Sequence, residues 1–217
     1  MTGNVLKDRV EPGDLGDLID RLDPDLVFLQ EITEGSARVL ADRFERHCLF
    51  PSEEFEGRGV ASKREAECGS IDLPWRPGTW AKVTVEGRTL VAAGVHMSNP
   101  IQSPWWRSVR ERRDQMNFLF DWAVAQESDA LIVAGDMNAS PSWPLYRRLA
   151  DRWQDLAVAA AERYGEGPEP TWGWRPGWPR MLRIDHIFGS GVKAVDTQVV
   201  PMRGSDHHAL IVDFTFE

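Results

Sequence analysis

Short apolar runs that stop abruptly at polar residues set the rhythm of this chain. Leu26-Val-Phe-Leu29 runs into Gln30-Glu31, Leu90-Val-Ala-Ala-Gly-Val95 into His96, and Ala130-Leu-Ile-Val-Ala134 into Gly135-Asp136-Met-Asn138. Apolar stretches of this length bounded by turn residues read as buried strands. Asn4-Val-Leu6 is the stump of a first strand, and an amphipathic helix from Asp14 to Leu22 precedes the strand Leu26–Gln30. Ala37, Leu40, Ala41 and Phe44 recur at helical spacing and predict a helix from Glu34 to Arg46, so the chain opens as a βαβ unit. Shorter strands follow at Gly59–Ser62, Thr79–Val85 and Thr89–Val95, the last two joined by the turn signal Glu86-Gly87-Arg88. A long helix from Trp105 to Ala125 leads into the strand Leu131–Ala134. Ser140-Pro-Ser-Trp-Pro then starts a short helix through Tyr146 to Leu149, because proline is tolerated in a first turn. A glycine- and proline-rich loop from Gly165 to Pro179 precedes closing strands at Leu182–Phe188, Val192–Val200 and Ala209–Phe216. Strand-rich halves with interposed helices imply two packed sheets covered by helices.

No linker, repeat or low-complexity tract divides the 217 residues, so residues 1–217 read as one domain. No signal peptide is visible at the start, and no run of about 18 apolar residues could span a bilayer. Cys48 and Cys68 read as two buried or incidental thiols. A cytoplasmic monomer is the expectation. The formal charge of −9 works against a polyanionic partner, but the charges are unevenly spread. Residues 1–31 carry Lys7, Arg9 and Arg21 against eight acids, whereas residues 171–183 carry Arg175, Arg180 and Arg183 with no acid. Arg107, Arg110, Arg112 and Arg113 form a second basic stretch, which a solvated helix face explains equally well.

The polar residues at the strand ends form an ordered series. It runs from Asn4 through Gln30-Glu31, His96, Gly135-Asp136-Met-Asn138 and Ile184-Asp185-His186 to Ser205-Asp206-His207. Acids, carboxamides and imidazoles without cysteine suit a hard cation such as Mg²⁺ or Mn²⁺ and argue against a thiolate zinc site. Any one of these motifs is common as turn chemistry. Together and in this order they resemble the endonuclease/exonuclease/phosphatase superfamily over residues 4 to 207.

That resemblance implies a four-layer α/β sandwich and a role for each residue. Glu31 is the main metal ligand, Asn4 supports metal or phosphate, and Asp206 is a second carboxylate tied to metal or to hydrogen-bond support. Asp136 orients the attacking water and Asn138 donates to the phosphate. These two lie two residues apart and so project to one side of an extended chain. His207 is the general base, with Asp185 fixing its tautomer. His96 donates to the phosphate or protonates the leaving oxygen. Leu6 stands where the abasic-site branch carries an aspartate, which speaks against that role. His186 and His208 match no catalytic position and read as packing or surface histidines.

Trp105, Trp106 and Arg107, with Trp172, Trp174 and Arg175, sit beside the motifs as candidate substrate contacts. Three readings stay open for the tryptophans: buried packing, a platform for unstacked bases, or a lip resting on membrane. The function expected is a Mg²⁺/Mn²⁺-dependent phosphodiesterase, a DNA endonuclease of little sequence preference, with double- and single-stranded DNA both open as substrates. A lipid or small-molecule phosphodiesterase or phosphatase is the alternative within enzymes, and a non-catalytic binding module the alternative outside them.

Overall fold

In the computed structural model, which describes residues 1–101 and 104–217, the apolar runs become the central strands of two six-stranded sheets. The first sheet holds β1 (Thr2–Asn4), β2 (Leu26–Gln30), β3 (Arg46–Phe50), β4 (Arg58–Ser62), β11 (Val192–Pro201) and β12 (His208–Phe216), in the order β11-β12-β1-β2-β4-β3. The second holds β5 (Ala66–Ile71), β6 (Gly78–Val85), β7 (Arg88–His96), β8 (Ala130–Asp136), β9 (Gln154–Asp155) and β10 (Asp185–Ser190), in the order β5-β6-β7-β8-β10-β9.

Strand alternation explains the layering. In β2, Val27 and Leu29 face α1 (Pro12–Leu22) and α2 (Glu34–Arg43), meeting Leu15, Ile19 and Leu40, while Phe28 points the other way. Phe28 packs with Val60, Ala92 and Ile132 in the core between the sheets, which Ala157 and Ala160 of α5 (Leu156–Glu162) also enter. On the far face, Val91, Ala93 and Val133 pack against Met116 and Leu119 of α3 (Trp105–Val124) and Leu145 and Leu149 of α4 (Pro144–Ala150). The architecture is the expected four-layer α/β sandwich.

Register brings the polar strand ends to one edge. β1 runs parallel to β2 with Asn4 opposite Gln30, and β7 runs parallel to β8 with His96 opposite Asp136. β10 runs antiparallel to β8, so its first residue, Asp185, also lies opposite Asp136. At the other edge the sheets part around a cavity of about 520 Å³, lined by Leu26, Leu90, Ile132 and Val212 among others. None of the strand-end polar residues lines it; they gather at the opposite edge.

Several expectations need correction. The second helix stops at Arg43. Phe44 is already extended, and Arg46, expected to end the helix, instead opens an edge strand that runs to Phe50. β5 was not foreseen, since Ala-Glu-Cys-Gly-Ser-Ile lacks an apolar alternation and covers an edge with polar residues. α5 was missed as well, although Asp155 caps it by accepting from the Val158 amide. β10 begins at Asp185, and Leu182 forms only an isolated bridge to Trp172. The cysteines are not free thiols. Cys48 on β3 and Cys68 on β5 form a disulfide that ties an edge strand of one sheet to an edge strand of the other. Closing a loop with a sequence separation of 20 stabilises a fold by about 3 kcal/mol in the chain-entropy picture. Among the described residues no helix is long and apolar enough to cross a membrane.

Candidate active site

Two glycines shape the loops that carry the acids. Gly135 has φ 144°, and a Cβ there would collide with the Val95 carbonyl. Gly204 has φ 96°, and a Cβ would collide with the Arg9 carbonyl. Only glycine fits either close approach, which explains its place ahead of Asp136 and of Ser205-Asp206-His207. Asn138 and Glu31 take the left-handed conformation themselves, with φ 47° and 57°. Non-glycine residues held there store strain, which clusters at functional sites.

Asp136 is the centre of the cluster. Its Oδ1 accepts the Asn138 amide at 2.8 Å. Its Oδ2 accepts from Asn4 Nδ2 at 3.3 Å and Asn138 Nδ2 at 3.3 Å. His96 Nε2 stands 3.4 Å and His207 Nε2 3.7 Å from the same oxygen. Burial opposes ionisation of Asp136, but the neighbouring His207 and His96 and the Asn138 amide outweigh it, holding the acid well below the usual carboxylate range. Beneath this turn Arg112 donates to the Asn138 carbonyl at 2.8 Å, and burial pushes its guanidinium down to about 10. The Asn138 carboxamide also donates to the Met97 carbonyl at 3.0 Å, so both its recorded bonds run into the protein.

Asn4 links the two sheets, because its Nδ2 also donates to Glu31 Oε1 at 2.9 Å while its Oδ1 accepts the Leu6 amide. Glu31 Oε2 is buried with no hydrogen-bond partner. A buried, unpaired carboxylate oxygen beside a second carboxylate is a poor arrangement on its own and a good one around a hard cation. Asp136, Asp185 and His207 also bring one potential ligand atom each within 4.8 Å of one another. The Asp185–His207 pair is occupied with itself, however, which leaves Glu31 with Asn4 and Asp136 as the more open set of hard donor atoms.

His207 Nδ1 faces Asp185 Oδ2 at 2.9 Å, and Thr171 Oγ1 donates to that same oxygen at 2.6 Å. A nitrogen opposite a carboxylate must carry hydrogen, which leaves Nε2 turned toward Asp136. Burial works against a charged imidazole here, but Asp185 and then Asp136 overcome it and push His207 up to about 10. Neutral imidazole, the form that accepts a proton, is favoured when Asp136 shares its charge with a cation instead. His96 meets a residue the sequence reading overlooked. Arg76 Nη1 stands 2.6 Å from His96 Nε2 and 3.1 Å from Nδ1, bringing a guanidinium into the site. Arg76 lies in the loop between β5 and β6, outside every motif, and no local pattern marks it.

The remaining candidates separate into engaged and open groups. Asp206 Oδ2 accepts the Trp172 indole N–H at 3.1 Å and its Oδ1 is buried without a partner; no hydrogen bond joins it to Asn4 or Glu31 among the described residues. Trp172 is half-buried, whereas Trp174, Arg175, Trp105 and Trp106 are exposed. Arg107 pairs with buried Glu111 at 2.7 Å. Two arginines of the 171–183 segment are unavailable to a ligand. Arg180 pairs with Glu169 at 2.6 Å, and Arg183 is buried against Asp155 at 2.6 Å. His186 is fully buried among the rings of Tyr146 and Phe188, a packing histidine.

Comparisons with solved structures agree on the fold. The structure is similar to the human Nocturnin catalytic domain with bound sulfate anion, at 19% identity and TM-score 0.75, covering 99% of this chain and 92% of that one. It is also similar to D. rerio TDP2 complexed with single strand DNA product, at 20% identity and TM-score 0.73, covering 99% and 97%. A third likeness is to a mannosyl-6-phosphatase of Bacteroides thetaiotaomicron, at 16% identity and TM-score 0.68, covering 95% and 91%. In sequence the chain is 27% identical over 159 residues to a UPF0294 protein of Vibrio vulnificus (strain YJ016), covering 70% of this chain and 51% of that protein. The chain thus spans about half the length of the curated relatives it matches. The Endonuclease/Exonuclease/phosphatase family profile matches residues 1–207, which takes in the first and last members of the polar series. With both sheets, the strand-end cluster and this match in agreement, the chain belongs to the endonuclease/exonuclease/phosphatase family.

Proposed function

We propose that residues 1–217 act as one catalytic unit that hydrolyses phosphodiesters with a divalent metal. The observation that carries this reading is the convergence of Asn4, Asn138, His96 and His207 on Asp136 Oδ2, next to the unpaired Glu31 Oε2. Glu31, supported by Asn4, would hold Mg²⁺ or Mn²⁺, with Asp136 alongside. A bound ion of this kind neutralises phosphoryl oxygens and makes water more acidic. Asp136 orients the water, and Nε2 of His207 takes its proton while Asp185 holds Nδ1–H. Arg76, braced on His96, offers charge to the phosphoryl oxygens. Asp206, held by Trp172, adds a further negative charge beside His207.

The test is turnover of bis(p-nitrophenyl) phosphate after chelation. Mg²⁺ or Mn²⁺ restores it, and Ca²⁺ does so poorly because it prefers more ligands at longer distance. Full turnover in excess chelator would overturn the metal mechanism.

DNA remains one candidate for the substrate. D. rerio TDP2 was captured with a single strand DNA product, and Trp174 with Arg175 offers a stacking face and a cation. The arginine count behind a DNA endonuclease is reduced, however, since Arg107, Arg180 and Arg183 are engaged by acids. A lipid phosphodiester is the second reading, favoured by the exposed loops taken up below. The disulfide also moves the proposed compartment away from the cytoplasm, because such bonds persist where thiols are not kept reduced.

A further inference from the structure

Exposed large apolar side chains are concentrated at one edge of the sandwich. Every exposed tryptophan among the described residues lies there, on loops beside the strand ends around the site or in the first turn of α3. Two of these segments carry no acid in their sequence: Met97 to Ile101 with the opening of α3 from Trp105 to Arg110, and Thr171 to Ile184. The first presents Ile101 (77% exposed), Trp105 (72%) and Trp106 (61%); the second presents Trp174 (57%), Trp178 (53%) and Met181 (61%). Their positions follow from sheet order. β8 lies between β7 and β10, so the loop leaving β7 and the loop entering β10 flank the Asp136–Asn138 turn on either side.

We propose that these two loops form a membrane-contact surface that seats the catalytic pit on a layer of phospholipid headgroups. The proposal rests on the phosphodiesterase reading for its biological sense and extends it to a lipid substrate class. Three observations favour lipid over a nucleic-acid strand. Ile101 and Met181 are among the most exposed large apolar side chains, and neither has a ring face to stack on a base, whereas both lose water-exposed area in a bilayer interface. Tryptophan is the side chain that settles at the headgroup level, with its indole body in apolar surroundings and its N–H wet. The charge pattern also fits. A polyanion needs a track of free cations, yet Arg107 and Arg180 are paired and Arg183 is buried, on a chain of formal charge −9. Arg175, stacked beside Trp178 at 5.6 Å, is enough to meet single anionic headgroups.

The experiment is flotation of the full chain in chelator. It uses vesicles of phosphatidylcholine alone and of phosphatidylcholine with phosphatidylglycerol, beside binding to oligothymidylate over a salt series. The protein is expected to float with both vesicles and more strongly with the anionic one. The paired substitution Ile101→Ser with Met181→Ser should lower that partition about tenfold by removing apolar area alone. It should leave the melting temperature and Mn²⁺-supported turnover of soluble bis(p-nitrophenyl) phosphate unchanged, because neither side chain touches the site. Absence from both vesicles, or flotation indifferent to the paired substitution, would overturn the proposal. So would salt-steep oligothymidylate binding without vesicle binding, which marks a nucleic-acid surface. If the wild-type protein floats but never hydrolyses the soluble diester, the phosphodiesterase reading fails and the membrane surface stands. Turnover without flotation means the reverse.

Discussion

Asp185 and His186 are neighbours in β10 and point to opposite faces of the sheet, each into a buried polar cluster. The two clusters differ in what they leave unpaired. Around His186, Asp155 accepts from Arg183 at 2.6 Å, Tyr146 at 3.0 Å and the Val158 amide at 3.2 Å. His186 Nε2 in turn reaches the Ala139 carbonyl at 2.8 Å. No side-chain atom of Asp155, Arg183, His186 or Tyr146 is buried without a partner. Around Asp185 the carboxylates of Glu31 and Asp136 crowd together, Glu31 Oε2 has no partner, and Glu31 and Asn138 sit at positive φ. A closed network of matched charges is scaffold. An open one with surplus acceptors and strained backbone is built for something that arrives later.

The contrast predicts opposite consequences for removing an acid. Asp155→Ala should cost the fold about 3–5 kcal/mol, because Arg183 and His186 stay buried with their partner gone. Urea unfolding measures it, and a loss under about 1 kcal/mol would dissolve the distinction between the clusters. Asp136→Ala should behave in the opposite way, with turnover down about 10²-fold or more and little loss of stability. His207→Ala should match it, and the double variant should be little worse than either alone if, as proposed, both act on one water. Multiplicative losses would mean that the two residues serve different steps.

Arg76→Ala sharpens the comparison at the rim. It removes the charge proposed to meet the phosphate, so kcat/KM should fall about tenfold, with Arg76→Lys recovering part of the loss. An unchanged kcat/KM would confine Arg76 to bracing His96. The smallest effect concerns pH. Burial opposes ionisation of Asp155, but His186 and Arg183 more than compensate and hold the carboxyl well below its usual range. The folded state therefore releases this proton more readily than the unfolded one. Its stabilisation is present above the unfolded carboxylate pKa of about 3.9 and is lost as pH falls further. Asp155→Asn should flatten that acid limb of the stability curve, and a limb of unchanged slope would assign it to other carboxylates.

Much of this contrast could be read before any coordinates. The strand-end series predicted the polar cluster because a buried strand must surface at its end, and side chains there face the same edge when the strands are parallel. Asn4, Glu31, His96, Asp136, Asn138, Asp185 and His207 do come together, in contacts that span up to 132 residues of sequence for Asn4 and Asp136. Where apolar periodicity was absent, reading failed. β3 and β5 are edge strands with mixed, half-exposed faces, so nothing in their pattern marks them as strands. Their shared disulfide could not be inferred either, because pairing depends on two sheet edges meeting in space.

The basic loop gives the clearest division between sequence and structure. Sequence alone determined that residues 171–183 hold three arginines and no acid, and that the strand ends hold acids, amides and imidazoles. Only the tertiary structure decided which of those charges are free. Glu169 lies just before the segment and Asp155 is 28 residues away from its partner, yet they claim Arg180 and Arg183, while Arg76, far from every motif, reaches His96. The physical reason is range. Backbone periodicity and turn chemistry are fixed by neighbours along the chain, whereas a charge is satisfied by whichever partner folding brings within a few ångströms, and burial then decides how much that pairing matters.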